Sequence, residues 1–357
     1  MDTATSKMIR MYLQQAQTQL FLSSKFQAPP ENFYKSEYVG IDIERSDEDI
    51  AIAIQDMSAG YRDNSGDIYT NKRFKAPVFK EKLALNAFDL MNRVPGKHTY
   101  EDPEFQATAI AQSYKGFRKI ENKIRRAIEL QASQILQTGT VSLTNAAGDV
   151  LYTIDYKPKA THFPTAGTAW NAVGATITDD ILALAEVNRD DGLMDSDEIL
   201  MGQGSYEVAI QDTTFLARFD NRRVSNGSLT EFTPRNDGSY YRGRITIGNY
   251  GFDVFTYNGR YKDPATGAKI KYLADDKVVV RSSMGRLDAT FGAIPKFAPM
   301  DAAVLPFLPG RVSGSNIDLH MNAWFSDDRE QFFAGLGARP LLIPTAIDTY
   351  GCLDTGI

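Results

Sequence analysis

One cysteine and three histidines are all that 357 residues offer to thiol and imidazole chemistry. The lone Cys352 excludes an intramolecular disulfide framework and any multi-cysteine metal site, and fits synthesis in a reducing compartment. His98, His162 and His320 lie far apart, and none stands in a metal-ligand spacing such as HExxH. No run approaches 18 consecutive apolar residues and no apolar signal-peptide core is present, so neither a membrane span nor export by that route is expected. Basic residues number 39 against 45 acidic ones, a net charge of −6, which is the wrong sign for a surface that grips phosphates.

Motifs for chemistry are equally sparse. Gly202-Gln203-Gly204 lacks the third glycine of a dinucleotide loop, and no GxxxxGK[ST] occurs. The acidic run from Asp190 to Glu198 has its glycine misplaced for an EF-hand, so a solvated loop is expected there. Arg222-Arg223 and Lys72-Arg73 are short basic pairs, expected to be solvated or salt-bridged. No pair of carboxylates stands out for glycoside hydrolysis. The residues therefore predict no catalytic, cofactor-binding or metal site, with Cys352 and the histidines as bystanders.

What the chain does have is pattern. Ile110, Phe117, Ile120, Ile124, Ile128 and Ile135 recur at three-, four- and seven-residue steps, predicting one helix over residues 103–138. Asp102 stands at its N-cap, Pro103 at N1, Glu104 in the first turn and Gly139 just past its end. Such a helix would run ~54 Å, several times the usual length.

Before it, the period is two. Val39, Ile41 and Ile43 alternate with Gly40, Asp42 and Glu44; Gly60 to Gly66 supplies turn residues; and Ile68 to Val78 carries Lys72, Arg73 and Lys75. This predicts a long hairpin, acidic on one arm and basic on the other, marginal alone; packing on another subunit explains it most economically, with an ordinary solvated hairpin as the alternative. Residues 1–30, ending at Pro29-Pro30, read equally as a frayed terminus or an arm that orders on a neighbour.

After residue 139 a hairpin is expected from Thr140–Thr144 and Val150–Tyr156, a loop over 158–175, and a helix capped by Thr178-Asp179-Asp180. Strands are predicted at Ile199–Met201, Tyr241–Ile247, Gly251–Tyr257, Lys269–Leu273, Lys277–Arg281, Ile317–Asn322 and Ala338–Ile343, with a helical region from Gly204 to Phe219. Mixed elements without βαβ alternation indicate an α+β fold.

Several segments, in order, resemble the lambda-type phage major capsid protein (protein E) family. They are Ser133–Val141 at the helix end; Phe252–Tyr261, a strand ending in a Tyr-x-Gly-x-Tyr turn; Tyr272–Val280, where the family often has proline at the place of Ala274; Gly285 with Thr290-Phe291-Gly292; and Ala338–Pro344. The resemblance covers roughly the last two-thirds of the chain, with Pro299–Gly314 falling outside it.

The resemblance implies the tailed-phage major capsid fold (Hong Kong 97-type). Residues 1–37 would form the N-terminal arm, 38–94 the extended loop, 95–165 the peripheral domain with its spine helix at 103–138, 166–284 the axial domain, and 285–357 strands returning to the periphery. It also implies self-assembly into hexamers and pentamers that close an icosahedral head around double-stranded DNA, without sequence-specific binding. Partners would be a scaffolding protein, a portal and in some members a decoration protein; the place would be the virion, and the host cytoplasm during assembly. Extended-loop contacts would come from Tyr61, Arg62, Tyr69, Lys72, Arg73, Phe74 and Phe79. No lysine–asparagine–carboxylate trio for inter-subunit cross-links is identified. Competing readings are an encapsulin-like compartment shell and an α+β hydrolase.

Overall fold

The computed structural model describes residues 20–44, 69–86, 105–144, 148–219, 237–294, 319–325 and 331–357. In chain order, β1 (Tyr38–Glu44), β2 (Tyr69–Lys75) and β3 (Phe79–Asn86) precede helix α1 (Phe105–Thr138). The hairpin β4 (Thr140–Thr144) and β5 (Val150–Asp155) follows, then α2 (Ile177–Gly192), β6 (Glu198–Met201), α3 (Gln203–Ala209) and α4 (Thr213–Ala217). Strands β7 (Ser239–Ile247), β8 (Tyr250–Tyr257), β9 (Arg260–Lys262), β10 (Lys269–Lys271), β11 (Lys277–Arg281) and β12 (Asp288–Phe291) come next. The chain closes with β13 (His320–Phe325), β14 (Gln331–Ala338), β15 (Pro340–Ile343) and β16 (Tyr350–Asp354). Two compact units result: residues 1–39, 75–131 and 289–342, and residues 40–74, 132–288 and 343–357.

In the first unit, α1 buries Ile120, Ile124 and Ile128, as the stripe predicted. The antiparallel sheet β13-β14-β3 pairs Phe79 with Ala338 and Leu85 with Phe332. Leu83 of β3 packs so closely on Gly116 that a Cβ there would lie 1.9 Å from its Cδ2. Strand β15 lies beside β12, and the Thr290 hydroxyl donates to the Leu341 carbonyl at 2.7 Å.

The second unit is built on a five-stranded sheet of order β16-β11-β6-β8-β7, parallel only between β6 and β8. Its β11 is buried on both faces at Val278, Val279 and Val280, which is why it reads in sequence as an unbroken apolar run. One face packs on Ile181, Leu184 and Ala185 of α2 and on Phe215 of α4. Each fully buried aliphatic or aromatic side chain of this size contributes about 1.5–3 kcal/mol. The β16 edge is covered by the Pro164–Ala166 segment, with Asp354 N–H on the Pro164 carbonyl at 2.9 Å.

The C-terminal turn of α1 is fastened to the segment following β10. Gln137 Nε2 donates to the Tyr272 carbonyl at 2.8 Å, and its Oε1 accepts from Ala274 N–H at 3.1 Å. A proline at position 274 would lack that donor. The departure of this chain at Ala274 from the family's common proline thus has a use. Tyr257 and Tyr261 place their rings 6.1 and 5.1 Å from that of Tyr272, so the Tyr-x-Gly-x-Tyr turn closes an aromatic cluster.

Several expectations need correction. The helix containing Asp179 and Asp180 starts earlier, at Ile177; Thr176 is its N-cap, without a side-chain cap bond, and Asp180 accepts instead from Trp170 Nε1 at 2.9 Å. The strand expected over Ala338–Ile343 is two strands broken at Arg339, because Pro340 cannot donate to a continuing ladder. The strand expected over Lys269–Leu273 stops at Lys271, with Tyr272 and Leu273 buried beyond it. The acidic run is a loop only over residues 193–197, where Leu193, Met194 and Asp195 are exposed; Asp190 and Asp191 lie in the last turn of α2, Glu198 opens β6, and Asp191, Asp195, Asp197 and Glu198 bond to Lys159, Arg189, Ser283 and Arg281. The described part of α1 begins at Phe105; the proposed cap at Asp102–Glu104 lies outside the described residues, as does the hairpin turn at 60–66.

Gly139 ends α1 in the left-handed conformation, φ +66°, its N–H on the Ile135 carbonyl at 2.8 Å. A Cβ would also sit 2.4 Å from Pro158 Cγ. Gly139→Ala therefore combines backbone strain with a clash, and a loss of about 1–3 kcal/mol is expected in urea unfolding, with an unchanged slope.

Candidate assembly surfaces

A buried polar interaction of the first unit joins the N-terminal segment to α1. Glu129, fully buried on the helix, accepts three consecutive main-chain N–H groups: Phe21 at 3.0 Å and Leu22 at 2.7 Å on Oε1, Ser23 at 2.9 Å on Oε2. These donors open the 3-10 turn Ser23–Lys25, so the carboxylate caps an end that otherwise has unsatisfied N–H groups. Two residues on, Gln131 donates to the Pro340 carbonyl at 3.4 Å and accepts from Leu342 N–H at 3.3 Å, stitching α1 to β15.

Downstream, the segment stays on the same unit. Phe33 forms a parallel bridge with Phe291, and their rings stack at 5.0 Å. Glu37 Oε2 receives both Arg339 Nη2 at 3.1 Å and Lys75 Nζ at 3.2 Å. Hydrogen bonds from Lys75 and then Arg339 hold the Glu37 carboxyl below its ordinary range. The buried Arg339 also donates to the Ala293 carbonyl at 3.1 Å. One acidic–basic pair at the foot of β1 and β2 is thus made within the chain.

The expected loop contacts fall only in part among the described residues. Tyr61 and Arg62 lie outside the described residues, and Tyr69, Lys72 and Arg73 lie on β2, where the backbone alone is described. Phe74 is half-buried, its ring 6.4 Å from that of Tyr156. Phe79 opens β3, opposite Ala338 of β14. Of the seven, only Phe74 and Phe79 have described side chains. Sequence reasoning missed Glu129, Gln131, Arg339 and Glu37. Only Gln131 left a signal, as a polar residue on the Ile124–Ile128–Ile135 seam.

The groups tested for chemistry are occupied structurally. His162 is buried, its Nδ1 3.0 Å from both Asn188 Oδ1 and the Tyr350 carbonyl and its Nε2 2.9 Å from Asp191 Oδ2. Asn188 in turn donates to the Val280 carbonyl and to Ser196 Oγ, both at 3.1 Å. His98 lies outside the described residues, and only the backbone of His320 is described, on β13. Cys352 is buried on β16, opposite Val279 of β11, and burial pushes its thiol up to about 12. Among the described residues, no group of three or more His, Cys, Asp or Glu is placed to hold a metal.

Residues 4–348 match the family described as phage major capsid protein E. The chain belongs to that family. Its role is that of a major capsid protein, a subunit of an oligomeric shell in the phage virion, and membership of this family indicates structure rather than catalysis. Among solved structures, a candidate capsid protein of a prophage of E. coli CFT073 is similar over 99% of both chains, with 16% identity and a TM-score of 0.64. A phage-related protein of Bordetella bronchiseptica RB50 is similar over 99% of this chain and 96% of its own, with 9% identity and a TM-score of 0.51. These likenesses show the fold, the tailed-phage capsid fold of the Hong Kong 97 type that the sequence resemblance implied. Comparison with curated proteins returned no match.

Two outcomes follow from this geometry. Glu129→Gln keeps one acceptor oxygen but turns an NH2 toward main-chain donors, so it should cost about 1–3 kcal/mol and speed proteolysis after Lys25. Acid should also weaken the second unit. Asp354 is lowered by the Lys277 hydrogen bond, 2.6 Å, against its burial; for Asp191 burial raises, but the Lys159 and His162 bonds outweigh it. A carboxyl whose folded pKa is below its unfolded one holds fewer protons in the folded state, so its stabilisation is complete above about pH 4–5 and lost as pH falls through the folded value. Unfolding midpoints should therefore drop below about pH 4, and less steeply in Asp354→Asn.

Proposed function

We propose that this capsid protein assembles into hexamers and pentamers that close as an icosahedral head around double-stranded DNA, without reading its sequence. Membership of the phage major capsid protein E family across residues 4–348 is the observation that carries this reading. Residues 1–37 serve as the N-terminal arm, 38–94 as the extended loop, 95–165 as the peripheral domain, 166–284 as the axial domain and 285–357 as strands returning to the periphery. The loop lies on a neighbouring subunit, with Tyr61, Tyr69, Phe74 and Phe79 as apolar anchors and Arg62, Lys72 and Arg73 setting register by charge. A scaffolding protein and a portal act during assembly in the host cytoplasm, and a decoration protein is compatible with the same shell. The net charge of −6 suits a lining that leaves enclosed DNA free to slide.

The physics of the role is distributed burial. Heterologous contacts repeat around each ring, so no single residue dominates. Electron microscopy of the purified chain, with scaffold where needed, should show closed shells of uniform size. Deleting residues 56–75 should abolish them, and normal shells from that deletion would refute the role of the loop. Nucleic acid rather than enzyme cargo inside native particles separates a phage head from a protein compartment.

A further inference from the structure

The end of α2 carries a local conflict. Gly192, its last residue, sits where a Cβ would lie 2.5 Å from the Asp348 carbonyl oxygen, so space alone demands glycine there. The left-handed residue that terminates the helix comes one position later and is Leu193, at φ 52° and ψ 23°, its N–H on the Arg189 carbonyl at 2.9 Å. That conformation is where glycine or asparagine is ordinary and leucine is strained. The side chain is also 54% exposed. In the lone chain Leu193 is thus unfavourable twice, through its backbone and through apolar surface left in water.

Two methionines share its surroundings. Met194 is 37% exposed, and Met284, on the turn after β11, is 83% exposed. The two loops are tied together by Asp197, whose N–H donates to the Arg281 carbonyl at 3.0 Å and whose carboxylate accepts from Ser283 N–H at 2.6 Å and from the Ser283 hydroxyl. Arg281 faces Glu198 in register, so β6 begins and β11 ends at this one end of the five-stranded sheet. All three exposed apolar side chains therefore lie on two loops, joined by hydrogen bonds, at one end of the sheet.

We propose that this sheet end is a contact between copies of the chain, with Leu193, Met194 and Met284 packed on the neighbouring subunit. The inference rests on the capsid reading above, which supplies the occupant: a shell protein must meet its own copies, and this edge offers apolar area whose burial in such a meeting offsets the local strain. The contact is heterologous, repeating around a ring. Flexible, polarizable methionines suit a patch that must fit neighbours at slightly different angles in rings of five and of six.

The test uses the full-length chain. Leu193→Gly removes both the strain and the contact, so it should raise the unfolding temperature of the unassembled subunit while raising the concentration needed for assembly at least tenfold. Met284→Gln should raise that concentration without moving the unfolding temperature. Opposite signs for stability and assembly at Leu193 would not arise from a purely structural residue. In Met284→Cys labelled with a benzophenone maleimide, the buried Cys352 does not compete, and illumination of shells should give bands at multiples of the subunit mass. Variants that assemble at the parent's concentration, or cross-links confined within single subunits of intact shells, overturn the contact alone. A parent chain that stays solitary overturns the capsid reading and the contact with it.

Discussion

A carboxylate with no access to water, surrounded by main-chain donors, is the constraint on which the first unit turns. Three N–H groups converge on Glu129 and offset the cost of burying it, and that carboxylate helps to hold the turn at Ser23–Lys25. The same logic recurs along the last turns of α1, with Gln131 bonded to β15 in the first unit and Ser133 and Gln137 bonded to Tyr272 in the second. A helix of 34 residues is useful here less for its length than for the polar side chains it delivers into buried places.

Much of the fold was legible because its signals are local. The isoleucine stripe and Gly139 located α1, and the limits of β11 were read as Lys277–Arg281 because both of its faces are buried. Besides β9 and most of β14, strands β3, β12 and β16 were missed, these three for a common reason. Phe-Lys-Glu-Lys-Leu-Ala-Leu-Asn looks like a solvated segment until β14, some 250 residues later, pairs with it, and Asp288–Phe291 and Tyr350–Asp354 are short and carry acidic or glycine residues. Pairing partners remote in sequence leave no periodicity to read.

The assembly surface was less legible than the fold. Family resemblance assigned residues 38–94 to an extended loop, but a contact with a neighbour depends on a surface whose shape a single sequence does not contain. Phe74 and Phe79 each have company within their own chain, Phe74 beside Tyr156 and Phe79 opposite Ala338. Charge reading failed differently. Glu129 and Arg339 look like ordinary surface residues, and only the converging backbone of distant segments makes them interior. The acidic run 190–198 was read correctly in its exposed middle and misread at its ends, where the partners Lys159, Ser283 and Arg281 of Asp191, Asp197 and Glu198 are remote in sequence.

Because Glu129 recognises amides and not side chains, it is blind to spelling. Any residue except proline at positions 21 to 23 presents the same three hydrogens, so the clasp itself imposes almost no selection on the letters it holds. What constrains Phe21 and Leu22 is their burial, and Ser23 is free of even that. Divergence could therefore rewrite much of this stretch while the attachment point on the helix persisted, leaving an ancestral joint visible in geometry long after it had faded from any comparison of residues.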